Sequence, residues 1–246
     1  MKAVVLGGTS GIGRAIVRRL VERGDTVFLL GLDVADLARS AADLRTRHAR
    51  GTDTGFAVCD LESPEGFAPA LDAADAALEG FDAVIVTAAM FATQEALEAD
   101  IELARRLVTV NYANTLVFCE HARKRLLARG GGWLTVFSSV AGDRGRKPVG
   151  IYGSSKAGIA TYLEALDHRF HAAGLFTLCV KPGFVKTGMT AGIKPPPFAG
   201  EPDQVAREVV RAMDRRQALL YTPRIWALIM LVIRSLPRFV MRRIAF

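Results

Sequence analysis

The sequence predicts a doubly wound α/β domain, a parallel sheet covered by helices on both faces. Three observations point there. Short apolar runs alternate with segments of helical spacing along most of the 246 residues, the pattern of a sheet buried on both sides. The first apolar run enters a glycine-containing turn that opens a helix. No composition shift or linker divides the chain before Thr222, so residues 1–222 read as one domain and 223–246 as a C-terminal apolar and basic tail.

The elements follow in order. Ala3 to Leu6 is an apolar strand, and the turn after it carries Gly7, Gly11 and Gly13 ahead of a helix. Such glycines permit a tight turn and let backbone approach a pyrophosphate, while the helix start offers free N–H groups to it. Thr26 to Leu30 is the second strand. Val34 to Arg50 has apolar positions at helical spacing, namely Val34, Leu37, Ala41 and Leu44. Gly55 to Cys59 is the third strand, and Pro64 opens a helix that ends near Gly80. Ala83 to Thr87 is the fourth strand. A helical segment containing Asn111 ends near Arg129 and Gly130. Trp133 to Phe137 is the fifth strand, and a helix opens near Tyr152. Thr177 to Lys181, a helix from Val205 to Arg215 and a last strand from Leu219 to Thr222 complete the domain.

Half of the residues are hydrophobic, enough for a sizeable core, and the formal charge is +7. That charge is local: Arg211 to Phe246 holds eight arginines and one acid, Asp214, and the remainder is neutral. Attraction to something anionic is therefore expected of the C-terminal segment, and no nucleic-acid-binding surface is expected of the domain. Cys59, Cys119 and Cys179 lack metal or disulfide spacing and read as buried thiols of a reducing compartment. The four histidines form no cluster, so no metal is expected. Met1 and Lys2 lead at once into a strand, so no leader is expected.

The chemistry concentrates between Phe137 and Ala165. Tyr152 and Lys156 are four apart, on one helix face. An ammonium one turn from a phenol favours the phenolate, so Lys156 is expected to lower the Tyr152 pKa. Ser139 sits at a strand end, where its hydroxyl can donate to a substrate oxygen. Together the three make a proton-delivery device for a carbonyl under reduction.

Ser139 stands thirteen residues before Tyr152 in the wording SSVAG…YGSSK. With the GxxxGxG turn, this resembles the short-chain dehydrogenase/reductase family over Met1 to about Thr222. The resemblance implies a single-domain Rossmann-type fold and a nicotinamide coenzyme. It implies catalytic roles for Asn111, Ser139, Tyr152 and Lys156, with Asn111 propping Lys156 through a water. It implies coenzyme contacts from Gly7, Thr9, Ser10, Gly11, Ile12 and Gly13, and adenine contacts from Asp60 and Leu61. Ala88 and Ala89 would pass the ribose, although the family's NNAG reads Thr87, Ala88, Ala89, Met90 here. Tyr152 and Lys156 would hold the other ribose, and Pro182, Gly183, Val185 and Thr187, in PGFVKT, the carboxamide. At the coenzyme-selecting positions the chain has Gly31 and Leu32, neither the acid of NAD users nor the Arg of many NADP users. Asp33 is left to reach the ribose and Arg14 to meet a phosphate. The coenzyme is NAD(P)H, with a lean to NADH.

In the tail, Ile225 to Ile233 is nine consecutive apolar residues. As a helix they span about 14 Å, half of a bilayer core, so they cannot cross it. With Trp226 and the flanking arginines they suit an anionic membrane surface; a helix that closes the core or a subunit interface uses the same run. The loop SSVAGDRGRKPVGIYGSSKAG, the segment PGFVKTGM and the tail YTPRIW…IRSLP resemble the decaprenylphosphoryl keto-pentose reductases of cell-wall arabinan synthesis. That resemblance implies reduction of the keto group of a polyprenyl-phosphate-linked pentose, a membrane-embedded lipid-linked sugar. It places the protein in the cytoplasm, peripheral on the inner face of the plasma membrane. Another apolar ketone, 3-ketoacyl or steroid-like, is the alternative substrate, and a non-catalytic dinucleotide-binding protein is a third reading. A homo-oligomer is left open.

Overall fold

In a computed structural model that describes residues 1–47, 54–192 and 194–244, seven strands form one parallel sheet. They are β1 (Lys2–Leu6), β2 (Thr26–Gly31), β3 (Phe56–Val58), β4 (Ala83–Val86), β5 (Gly132–Phe137), β6 (Leu175–Pro182) and β7 (Leu219–Thr222), in the order β3-β2-β1-β4-β5-β6-β7. The helices are α1 (Gly11–Glu22), α2 (Val34–Arg47), α3 (Phe67–Leu78), α4 (Gln94–Ala99), α5 (Ile101–Val108), α6 (Thr115–Ala128), α7 (Gly150–Phe170), α8 (Pro202–Asp214), α9 (Ile225–Ser235) and α10 (Arg238–Arg243). The strand order reverses between β1 and β4, which opens a crevice at the carboxyl ends of the strands.

Side chains alternate across each strand, so the sheet feeds two cores. Val4, Leu6, Val84 and Val86 face Phe67, Leu71, Phe118, Ile159 and Leu163 of α3, α6 and α7. Ala3, Val5, Ala83 and Ile85 face Ile16, Leu20, Leu37, Val205 and Val209 of α1, α2 and α8. Each of these residues is at most 1% exposed. The apolar runs read from the sequence are thus apolar because both faces are covered.

Boundaries differ from the sequence expectation in several places: β6 is wider than expected, α8 starts three residues earlier, and Pro64 opens a 3-10 turn, Pro64–Gly66, that leads into α3. The third strand is shorter, Phe56–Val58, an edge with Phe56 and Val58 partly in solvent. The last part of the helix expected over Val34 to Arg50 lies outside the described residues. The helical segment around Asn111 is three pieces: α5, a π-helical stretch Thr109–Asn114, and α6. There the Thr115 hydroxyl donates to the Val110 carbonyl, five residues back, at 2.7 Å, which fits a locally widened helix.

The tail is packed on the domain. Trp226, Met230 and Ile233, at helical spacing on α9, form a third apolar cluster with Val140, Phe184 and Tyr221. Arg144 donates to the Leu236 carbonyl at 2.9 Å and Lys147 to the Arg242 carbonyl at 2.8 Å, so two side chains of the loop before α7 cap the ends of α9 and α10. The opposite face of α9 carries Leu228, Leu231 and Val232, all more than half exposed, as is Phe239 on α10. No helix among the described residues is long and apolar enough to cross a membrane.

Candidate active site

A cleft of about 1060 Å³ runs across the carboxyl ends of the strands. One end is the turn between β1 and α1. Gly7 has φ +89°, and a Cβ there would lie 2.6 Å from Thr87 Oγ1 and 2.7 Å from the Ala88 nitrogen. A Cβ on Gly13 would strike the Gly7 carbonyl. Only glycine lets the turn lie this close to the end of β4. The Thr87 hydroxyl donates to the Leu6 and Gly7 carbonyls at 3.1 Å each, clamping the turn. Helix α1 begins after Ser10 with no acid in its first turn, so its N–H groups and dipole are open to an anion. This cradle fits the pyrophosphate of a dinucleotide. Of the residues named from the sequence, Thr9, Ser10, Gly11 and Ile12 line it with Gly7 and Gly13.

Further along the wall come Gly31, Leu32, Asp33, Asp36, Asp60, Leu61 and Glu62. Asp33 Oδ1 accepts the Asp36 N–H at 2.7 Å and so caps the start of α2. Arg14 Nε donates to the Thr9 carbonyl at 2.8 Å, which holds its guanidinium beside the glycine turn. This part of the wall carries four carboxylates, of which Asp36 is paired with Arg39 and Glu62 with Arg106.

The other end holds Ser139, Tyr152 and Lys156, facing Ala88, Ala89, Pro182, Gly183, Val185 and Thr187. Small residues bring these elements together. A Cβ on Gly153 would lie 2.6 Å from the Ala141 carbonyl oxygen, and one on Gly142 would lie 2.7 Å from the Ala157 nitrogen. The short 3-10 turn Val140–Gly142 thus lies directly on α7. Ser138 Oγ donates to the Lys156 carbonyl at 2.8 Å, a second tie between strand end and helix. Ser139 Oγ accepts the Ala141 N–H at 3.1 Å.

Asn111 does not line the cleft. It is 1% exposed, its Oδ1 accepts the Met90 N–H at 2.7 Å, and its Nδ2 donates to the Met90 carbonyl at 2.8 Å. Both ends of the amide are spent on the backbone just past β4, which answers the cost of burying it. It pins the stretch where the asparagines of NNAG are missing.

The expected electrostatics of Tyr152 also need correction. Burial pushes its phenol up to about 12, against a smaller downward effect of a hydrogen bond with Ser139. Burial pushes Lys156, 3% exposed, down to about 8. Lys156 Nζ donates to the Phe137 carbonyl at 2.9 Å and stands 5.8 Å from the centre of the Tyr152 ring. The Phe91 ring meets Tyr152 edge-on at 5.2 Å. Desolvation penalises the charged form of each group and is the largest cause of both shifts. Tyr152 is thus held as a protonated acid.

Among the wall residues that sequence reasoning missed are Asp36, Glu62, Phe91, Thr87, Arg146 and Trp226. Thr87 acts through a contact with residues 80 and 81 positions earlier, and no local motif marks it. Arg146 and Trp226 line the catalytic end; Trp226 was read only as part of the tail. The three cysteines are buried and free. Among the described residues no group of three or more His, Cys, Asp or Glu is placed to hold a metal.

A family model described as short chain dehydrogenase matches residues 1–197. An uncharacterized oxidoreductase of Mycobacterium tuberculosis (strain ATCC 25618 / H37Rv) is 33% identical over 98% of this chain and 95% of its own. The cis-4-hydroxycyclohexanecarboxylate dehydrogenase of Sinomonas cyclohexanicum is 28% identical over 78% of this chain and 76% of its own. In fold, a short-chain dehydrogenase from Sphingobium yanoikuyae, solved in complex with NADPH, superposes with a TM-score of 0.83 at 23% identity, covering 99% of this chain and 96% of that one. With a seven-stranded parallel sheet, a glycine cradle at its switch point and a family match over most of its length, the chain belongs to the short-chain dehydrogenase/reductase family and is an NAD(P)-dependent oxidoreductase acting on CH–OH or C=O groups.

Proposed function

We propose that the protein reduces a ketone with NAD(P)H, and that the ketone is the keto group of a polyprenyl-phosphate-linked pentose. One observation carries the reductive part: Ser139, Tyr152 and Lys156 meet at one end of a cleft whose other end is the glycine cradle. The coenzyme supplies hydride when bound. Tyr152 gives its proton to the carbonyl oxygen as that oxygen gains charge, which suits a phenol held protonated by burial. Ser139 Oγ donates to the same oxygen and stabilises it. Lys156 lies one turn beyond Tyr152 with its ammonium on the Phe137 carbonyl; it offers charge and a donor to the coenzyme ribose. Asn111 keeps the Met90 backbone in place beside them. Asp33 and Asp60 support NADH over NADPH, since a 2′-phosphate beside them would meet two carboxylates without a paired arginine among the described residues, in addition to the Arg39–Asp36 and Arg106–Glu62 pairs.

The substrate rests on the tail. Its wording resembles the lipid-linked keto-pentose reductases, and its outer face offers Leu228, Leu231, Val232 and Phe239 between Arg224, Arg234, Arg238, Arg242 and Arg243. That composition suits a segment lying on an anionic membrane and supports a place for the protein at the inner face of the plasma membrane beside such a lipid. The deciding experiment follows absorbance of NADH or NADPH with a panel that includes a polyprenyl-phosphate keto-pentose. Coenzyme oxidation with that lipid above all others is expected. A second substrate class, a small cyclic ketone, is favoured by the name of the Sinomonas relative, and a preference for cyclohexanone acids over the lipid would select it.

Membrane docking has its own test. Deleting the tail would also strip Trp226, Met230 and Ile233 from the domain. Outward-facing substitutions, Leu228→Ser, Leu231→Ser and Phe239→Ser, avoid that. Each fully buried side chain is worth about 1.5–3 kcal/mol, so the triple variant should no longer float with phosphatidylglycerol vesicles that carry the parent protein. Equal flotation of both would overturn docking through this face.

A further inference from the structure

One buried carboxylate behind the cleft joins three segments that build its catalytic end. Asp143 follows the 3-10 turn Val140–Gly142, which starts after Ser139. Its side chain is 2% exposed. Asp143 Oδ1 accepts from Lys181 Nζ on β6, and Oδ2 accepts from the Tyr221 hydroxyl on β7, each at 2.6 Å. The Lys181 ammonium also stands 5.5 Å from the centre of the Tyr221 ring. Burial lowers the Lys181 pKa, but the bond to Asp143 and its charge more than offset this, so Lys181 lies above its ordinary value. Burial, and then the bond to Asp143, raises the Tyr221 phenol. At neutral pH both groups therefore keep the protons they donate to Asp143.

None of the three lines the cleft, but each leads to residues that do. The turn that ends at Asp143 begins at Ser139, whose carbonyl accepts the Gly142 N–H at 3.0 Å. Lys181 is followed by Pro182 and Gly183 of the wall, and the Pro182 carbonyl lies 3.5 Å from Ser139 Oγ. Tyr221 is followed by Thr222, whose carbonyl accepts the Gly183 N–H at 3.0 Å. The near end of the turn is fixed by Ser138, which donates its N–H to the Val180 carbonyl and its hydroxyl to the Lys156 carbonyl, each at 2.8 Å. Asp143 fixes the far end. A buried ion pair is a weak stability device, because desolvation offsets the attraction; its best-attested use is to fix one arrangement. Here the arrangement fixed is that of Ser139 beside Tyr152, with which it shares a hydrogen bond. The same carboxylate acts on Arg146 of the wall, whose guanidinium burial lowers and Asp143 raises part of the way back.

We propose that Asp143 is a positioning residue: clasped by Lys181 and Tyr221, it holds the Ser139 turn against the Pro182–Gly183 wall, so that Ser139 and Tyr152 reach one carbonyl oxygen. What Ser139 is held in place to do rests on the reductase reading above. Asp143 reaches the reacting atoms only through the turn, and it uses both its shape and its charge.

Fluorine NMR of the full chain labelled with 3-fluorotyrosine tests it without substrate. The chain has four tyrosines, and Tyr152→Phe assigns the Tyr152 resonance. Asp143→Ala should move that resonance by more than its linewidth. Asp143→Asn keeps the shape and an accepting oxygen and should move it less. Tyr221→Phe keeps the charge and the Lys181 pair and should move it least. Asp25→Asn is the control: Asp25 is a buried carboxylate held by the N-terminal amine and Arg23 at the opposite end of the sheet, so the change should lower Tm and leave Tyr152 unmoved. With NADH and cyclohexanone, kcat should fall about 10–100-fold in Asp143→Ala and less in Asp143→Asn, while KM for NADH stays within about twofold. A Tyr152 resonance unmoved in Asp143→Ala, one moved as far by Asp25→Asn, or an unchanged kcat would overturn the role. If Asp143→Ala does not fold, an unmoved resonance in both Asp143→Asn and Tyr221→Phe would do so. A parent protein that does not oxidise NADH with cyclohexanone counts against that ketone and not against Asp143, which the resonance then decides.

Discussion

Gly153→Ala should destabilise the protein and slow it, although alanine is the better helix former. Gly153 lies inside α7, directly after Tyr152. In an open helix the substitution would stabilise by about 1 kcal/mol. Here the new Cβ would lie 2.6 Å from the Ala141 carbonyl oxygen, a backbone atom that cannot swing aside. Relief to ordinary contact needs a separation of up to about 0.8 Å between α7 and the turn after Ser139. Overpacking of this kind costs about 1–3 kcal/mol; against backbone the upper half applies, leaving a net loss of about 1–2 kcal/mol. For a chain of this size that lowers Tm by about 2–8 °C. The same separation moves Tyr152 away from Ser139, and misplacement approaching 1 Å costs turnover up to about 100-fold. Thermal denaturation followed by circular dichroism reads the first effect and ketone-dependent coenzyme oxidation the second. Gly66→Ala is the control: Gly66 has φ −80° and ψ −12° with open space around its Cβ direction, and should stabilise by about 0.4–1 kcal/mol. A Gly153→Ala protein with raised Tm and unchanged turnover would refute the close packing of turn on helix.

Two further outcomes are expected. NADH should be preferred over NADPH by about tenfold in kcat/KM, or about 1.4 kcal/mol, because Asp33 and Asp60 would meet a 2′-phosphate; steady-state constants for both coenzymes check this, and a preference for NADPH would contradict it. Reduction should hold steady below about pH 7 and decline as pH rises through about 8, because burial has lowered Lys156 to about 8 and its charge is lost above that value, while Tyr152 near 12 stays protonated. A pH–rate profile flat up to pH 10 would mean that the charge on Lys156 is not used.

What the sequence made legible was local. The glycine turn is written in consecutive residues and the Tyr152–Lys156 pair in helical spacing, so both are legible without the fold. The strands were legible because burial on two faces makes them continuously apolar. What depended on distant chain segments was not. Thr87 reaches Gly7 only because β4 pairs with β1 in register, and Asn111 reaches Met90 through a widened helix no pattern announces. The Tyr152 pKa was misjudged because spacing shows a neighbouring charge but not the desolvation around it. The tail was read as one apolar and basic stretch; folding gives it two faces, one docked through Trp226, Met230 and Ile233 and one outward.

Turnover of Tyr152→Phe tests the central claim most directly. The substitution removes one hydroxyl and keeps the ring against Phe91. Coenzyme affinity, read by fluorescence titration, should remain, and ketone reduction should fall by about 10²–10⁴-fold, the loss expected for a general acid. A variant that binds coenzyme and reduces ketone at nearly the parent rate would contradict the assignment of Tyr152 as proton donor.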